Sequence, residues 1–263
     1  MKSKTFFHGT VASILAMGAS MSAIAGLFGF GGTSWKEEVL LHDGSRVVVE
    51  RSQSYGGRHE IGQSPPVKEH TIAFELPGTS KTIKWTSEFS KEIGRTNFNL
   101  LALHVLNGVP YLVVEPNLCL SYNKWGRPNP PYLIFKYDGT EWHRISLEEL
   151  PDEFKTINLI VNNGREEDIE KAAEKFGYVP AAGVQEINKS LKQPEYRNIL
   201  REPLLQKQVD RSCGEMIYDG RGGWVGVGWF RNQPTYAACL SYCSRNQIDS
   251  NHCPCGRYFE REK

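Results

Sequence analysis

The sequence predicts an α+β fold: an antiparallel β-rich body built of hairpins, a helical connector and a disulfide-stapled C-terminal tail. Three observations predict it. Asp-Gly or Asn-Gly pairs sit between short apolar runs at residues 43–44, 107–108 and 138–139, and such pairs supply the positive φ angles of tight hairpin turns. Near residue 166 the apolar period changes from that of a strand to that of a helix. Five of the six cysteines fall in the last 51 of the 263 residues.

The first 25 residues read as a cleavable secretory leader. Lys2 and Lys4 form a basic start, Val11 to Ala25 is rich in Ala, Ile, Leu and Met, and Ala23-Ile24-Ala25 supplies the small residues of a cleavage site. The alternative is an uncleaved membrane anchor, since Gly9 to Gly31 is long enough to span but is diluted by glycines. Residues 26–34 form a Gly-rich joint.

The β-rich domain is expected over 35–162. Glu38–Asp43 and Ser45–Arg51 form its first hairpin, and His70–Leu76 and Thr82–Thr86 a second around Pro77-Gly78. Leu100–Leu106 and Val109–Glu115 form a third, with Pro110 placing the return strand at an edge or just after that proline. A long loop over Asn117–Pro131 precedes a fourth hairpin, Tyr132–Tyr137 with Glu141–Ile145, and Ile157–Val161 closes the β run.

The helical connector is expected over 163–210. Ile169, Ala172, Ala173 and Phe176 share one helix face, acidic residues fill the first turn and Gly177 stops the helix. Val184, Ile187 and Leu191 mark a second helix, and Glu195–Gln208 a third. The Cys-rich module, 211–263, is expected to hold strands Met216–Tyr218 and Trp224–Phe230 and a helix over Thr235–Arg245. On one strand Trp224 and Trp229 face opposite sides, which leaves at least one of them exposed.

An even cysteine count in an exported chain implies disulfides, so Cys119, Cys213, Cys239, Cys243, Cys253 and Cys255 are all candidates. Cys253 and Cys255 are too close to bond each other without strain and are expected to reach separate partners among Cys213, Cys239 and Cys243. Cys119 either ties the β region to the tail or stays single. The alternative is a zinc site of Cys239, Cys243, Cys253 and Cys255 or His252, but the spacing lacks Cys-x2-Cys knuckles and an oxidising compartment consumes thiolates. No cofactor is expected.

Composition excludes some functions. Removing the leader leaves 29 basic and 30 acidic residues, which gives no basic stripe for nucleic acid. The chain after the leader has no Gly-x-Ser-x-Gly elbow, no His-Glu-x-x-His and no P-loop. Glu37-Glu38 and Glu148-Glu149 are adjacent, so they face opposite sides of a strand and are expected to be solvated. Cys119 is a candidate thiol nucleophile with His104 or His143 as its base. Tyr122, Trp125, Tyr132 and Trp142, interleaved with prolines, are candidates for ligand stacking.

The expectation is an exported protein, periplasmic or secreted, that binds another protein or an envelope component without catalysis, in the manner of an inhibitor or immunity protein. It contacts a membrane only if the leader stays attached. The alternative is an exported hydrolase whose site is assembled from distant residues.

Overall fold

The computed structural model describes residues 32–56, 60–62, 65–161, 166–205 and 213–259. The expected leader and most of the Gly-rich joint lie outside the described residues. The protein is α+β, with two four-stranded antiparallel sheets and a small C-terminal module.

Sheet 1 runs β1 (Thr33–Leu40), β2 (Arg46–Tyr55), β3 (Val67–Glu75) and β4 (Thr82–Thr86), paired in that order. Sheet 2 runs β5 (Phe98–Leu106), β6 (Val109–Pro116), β7 (Leu133–Tyr137) and β8 (Trp142–Ile145). Hairpins form at all three anticipated pairs, but only Asn107-Gly108, at φ 51° and 75°, closes a two-residue turn; at 43–44 and 138–139 only the glycine holds positive φ, within longer loops. Pro110 departs from expectation, because it is the second residue of an interior strand, paired with Val105. At a strand end a proline sacrifices only one ladder donor.

The sheets pack face to face. Val39, Val49, Ile72, Phe74 and Ile83 from sheet 1 meet Phe98, Leu100, Leu103, Leu112 and Leu133 from sheet 2. A bulge between Leu100 and Ala102 shifts the β5 register, so Leu101 and Ala102 join the opposite face. That face is covered too. Tyr111, Val113 and Ile134 pack on Leu150, Phe154, Val161 and Ile199.

The cover explains why Ile157–Val161 is not the strand the sequence suggested. The segment crosses the sheet without a ladder: Asn158 N and Leu159 N both donate to Leu101 O, and side chains join it to its surroundings. Asn158 accepts from Leu103 N and donates to the carbonyls of Leu40 and Leu103. Asn188 donates to Leu159 O and accepts from Val161 N. Asn188 ends helix α3 (Ala181–Asn188), which with α2 (Glu166–Ala173) makes up the connector. Backbone bonds Glu38 N to Val179 O and Val179 N to Lys36 O cover the β1 edge. Helix α2 is shorter than expected and leaves Phe176 51% exposed. Among the described residues the third expected helix shrinks to the 3-10 turn Pro194–Tyr196, because Pro203 opposes helix and Ile199 N bonds Lys155 O instead; its last residues, 206–208, lie outside the described residues.

Glu37 corrects the reading of the acidic pairs. It and Glu38 do face opposite sides, but Glu37 points inward and is wholly buried. Its carboxylate accepts from Arg51 Nη1 at 2.9 Å, Trp35 Nε1 at 2.8 Å and Ile160 N at 3.2 Å. Arg51 is also wholly buried, and its guanidinium lies 5.1 Å from the Trp35 ring. Its Nε and Nη2, and both ring nitrogens of buried His70, have no hydrogen-bond partner among the described residues. Burial and then the Arg51 charge push the His70 imidazole down to about 3. Removing one member of a buried ion pair strands the other charge. Glu37→Ala is therefore expected to cost about 3–5 kcal/mol in urea unfolding. The double variant Glu37→Met/Arg51→Met is expected to recover a large part of that loss.

Candidate functional site

The segment expected to be a loop after β6 instead forms α1 (Leu118–Lys124). Leu118 enters it at a φ of 64°, a left-handed conformation that reverses the chain away from the strand. The helix is fixed from below, where Ser121 Oγ donates to Asn97 O. It presents Cys119 and Asn123 to the C-terminal module.

Cys119 bonds Cys213 across 94 residues. Asn123 then acts as a two-way clamp. Its Oδ1 accepts from Met216 N at 2.9 Å, and its Nδ2 donates to Cys119 O at 2.9 Å and Gly214 O at 3.1 Å. Arg127 Nη1 donates to Cys213 O at 2.9 Å. A covalent bond and a set of backbone-directed hydrogen bonds therefore seat the module on the sandwich.

The module contains hairpin β9 (Met216–Tyr218) and β10 (Trp224–Gly226), then α4 (Gly228–Arg231), α5 (Tyr236–Arg245) and α6 (Cys255–Tyr258). Thr235 caps α5 by accepting from Ala238 N. The small core is Phe230, Cys239, Cys243, Ile248 and Cys255. Disulfides Cys239–Cys255 and Cys243–Cys253 run through it, so Cys253 and Cys255 reach separate partners. A core this small needs such staples to hold one conformation.

A groove of about 770 Å3 lies between α1 and the module. Tyr218, Trp224 and His252 form an aromatic wall, and Glu92, Lys124 and Arg257 supply charges of both signs. Tyr218 packs 5.5 Å from Trp224 and, edge to face, 5.4 Å from His252. Trp224 Nε1 is buried with no hydrogen-bond partner among the described residues. The β9–β10 turn fixes this wall. Asp219 Oδ1 accepts from Arg221 N and Gly223 N, and Asp219 O accepts from Asp249 N. The Arg221 N–H holds the Asp219 carboxyl below its ordinary range. Gly220 turns the chain at a φ of 84°, where a Cβ would meet Asp249 Cβ at 2.7 Å.

The sequence-derived candidates do not converge. Cys119 has no free thiol, because its sulfur is spent on Cys213. His104 is 1% exposed, stacks on Phe154 at 4.7 Å and bonds Thr156 O at 3.1 Å. Burial pushes it down to about 4. His143 is exposed and bonds Asp138 Oδ2 at 2.7 Å. His104 pairs with Tyr111, Tyr111 with Lys136 and Lys136 with His143, which puts the two imidazoles on the order of 14 Å apart across four strands.

The aromatic candidates serve the core. Tyr122 and Tyr132 are buried, with Tyr132 donating to Glu195 O and Asn198 O. Trp125 and Trp142 pack against the sandwich core, and Trp142 Nε1 donates to Lys84 O. Cys243, Cys253 and Cys255 have sulfurs within 4.8 Å of one another, but each is spent in a disulfide, so neither they nor Cys239 offer zinc a thiolate, and His252 stands alone. Trp229 is 64% exposed, as one of the pair was expected to be. It stands on α4 rather than a strand, beside Tyr242 at 6.5 Å.

Sequence reasoning missed Glu115. Its carboxyl accepts from Tyr196 OH at 2.7 and 2.8 Å, and burial pushes it up to about 7. A tyrosine 81 residues away leaves no local signal. The groove wall was also missed as a unit, although Trp224 and the Gly-rich turn were visible. No family model, curated protein or solved structure matches the chain.

His70 and His104 titrate near 3 and 4 when folded but near 6.5 when unfolded, so their contribution is full above pH 6.5 and is lost as pH falls. Glu115 opposes them, since its raised folded value, about 7, favours the folded state at low pH and loses that advantage as pH rises. Two imidazoles against one carboxyl leave a net loss of about 1.4 kcal/mol per pH unit between pH 6 and 5, read from urea midpoints. A flat or rising profile on acidification contradicts the assignment. Separately, Gly220→Ala is expected to cost about 1–3 kcal/mol of thermal stability, while Gly222→Ala, which meets no neighbour, costs about 1.

Proposed function

We propose that this is an exported, non-catalytic protein that binds another protein or an envelope component in the groove between α1 and the C-terminal module. The observation that carries the reading is the aromatic wall of Tyr218, Trp224 and His252, held in place by a disulfide-anchored scaffold. Aromatic anchors beside mixed charges, on a surface that loses little entropy on binding, are the ordinary chemistry of protein recognition.

Two further observations support it. All six cysteines are in disulfides, which points to an oxidising, extracytoplasmic setting and agrees with the leader read in the sequence. No helix among the described residues is long and apolar enough to cross a membrane. The residues considered for catalysis are separated, buried or already bonded, which favours binding over hydrolysis. An inhibitor or immunity-type role fits a rigid, stapled surface of this kind.

The test is affinity capture of the tagged protein from the envelope fraction, with intact-mass analysis. The expected species begins at Gly26 and weighs six hydrogens less than the reduced chain. Trp224→Ala is expected to weaken the captured partner by about 30-fold with the circular dichroism unchanged, as loss of an interface hot spot does. Capture that ignores Trp224, or a cytosolic species that keeps Met1 and six free thiols, overturns the reading.

A further inference from the structure

Four of the module's five cysteines form two disulfides whose sulfurs are in contact. Cys239 and Cys243 stand one turn apart on α5 and share a face. Cys253 and Cys255 are separated only by Pro254. The chain bonds 239 to 255 and 243 to 253. Across the gap between these two bonds, the Cys255 Sγ lies 3.8 Å from the Cys243 Sγ and 3.4 Å from the Cys253 Sγ.

The two bonds differ in access. Cys239 and Cys255 are wholly buried and Cys243 is 4% exposed, whereas Cys253 is partly exposed. Cys253 borders the groove and also a second hollow of about 460 Å3 lined by Tyr236, Leu240 and Cys243. An external thiol can therefore reach the outer bond at Cys253, while the inner bond is shielded from direct attack. Once the outer bond opens, its own sulfurs are the nearest nucleophiles to the inner one.

We propose that this cluster is a thiol–disulfide exchange site that accepts a dithiol reductant at Cys253 and passes the exchange to the buried Cys239–Cys255 bond. One thiolate of the dithiol attacks the Cys253 Sγ. A mixed disulfide forms there, and Cys243 leaves as a thiolate. Cys243 then attacks the Cys255 Sγ; the Cys243–Cys255 bond forms, the Cys239–Cys255 bond breaks, and Cys239 leaves and takes up a proton. The second thiolate of the dithiol attacks its own sulfur on Cys253, which closes the reductant's disulfide and frees Cys253, which takes up the other proton. The dithiol loses two electrons and two protons, and the module gains them as the Cys239 and Cys253 thiols. Freed Cys253 lines the groove beside His252, so the exchange alters the groove that the proposed binding uses.

The experiment is limited reduction of the whole protein with dithiothreitol, acid quenching, alkylation and peptide mapping over time. The expected two-electron species carries alkylated Cys239 and Cys253 and a Cys243–Cys255 cross-link. A species alkylated at Cys243 and Cys253, with Cys239–Cys255 intact, overturns the proposal. A second measurement uses Cys243→Ser/Cys253→Ser, checked for native near-ultraviolet dichroism. Without the outer bond, opening of Cys239–Cys255 is expected to slow by at least about tenfold; an unchanged rate overturns the relay. Neither readout depends on a captured partner, so failure here is distinct from failure of the binding reading.

Discussion

The structure depends on one constraint: sheet 2 must be buried on both faces. Strand β5 is buried along Phe98–Val105 and only Leu106 reaches partial exposure, which a half-solvated sheet cannot provide. One face is met by sheet 1. The other is met by chain with no regular structure, from Leu147 to Val161 and again at Ile199 and Leu200. Irregular backbone cannot lie against a core without partners. Asn158, Asn188 and Arg201 supply them, Arg201 by donating to the carbonyls of Leu150, Pro151 and Phe154.

The same constraint sets where the candidate site stands. Because β6 is interior, the chain leaving it must clear the sheet end before returning as β7, and α1 fills that excursion. The helix meets both the sandwich and the module. The groove therefore belongs to neither unit alone: Glu92 and Lys124 come from one side, and Trp224 and Arg257 from the other. The Cys119–Cys213 bond limits how far the two sides can part.

Buried ionisable groups run through the interior as a second theme. Glu37, Arg51 and His70 lie wholly buried on the inward face of sheet 1, and half-buried Glu115 lies on sheet 2. Each is costly to bury, and only the Glu37 carboxylate is satisfied by three donors. Arg51 and His70 retain unpartnered nitrogens among the described residues, so this end of the sandwich has polar demands that the apolar end lacks. The balance of these groups ties folding to pH.

Local chemistry carried much of the architecture. The hairpins at the Asn-Gly and Asp-Gly pairs and the Ile169, Ala172 and Ala173 face of α2 were legible, because each depends on a few neighbouring residues, although the helix stops at Ala173, short of Gly177. So was the expectation that Cys253 and Cys255 have separate partners, since ring strain is a property of the tripeptide. Inward Glu37, the crossing segment at 157–161, helix α1 and the groove were not legible. Each depends on atoms brought together from far along the chain: Arg51 and Ile160 around Glu37, Leu40 and Leu103 around Asn158, Cys213 against Cys119. The sequence by itself determined the hairpins of both sheets and the two connector helices, whose signals are local. Only the tertiary structure decided which polar groups are buried and which aromatic residues face a ligand, because desolvation is set by the whole packed chain.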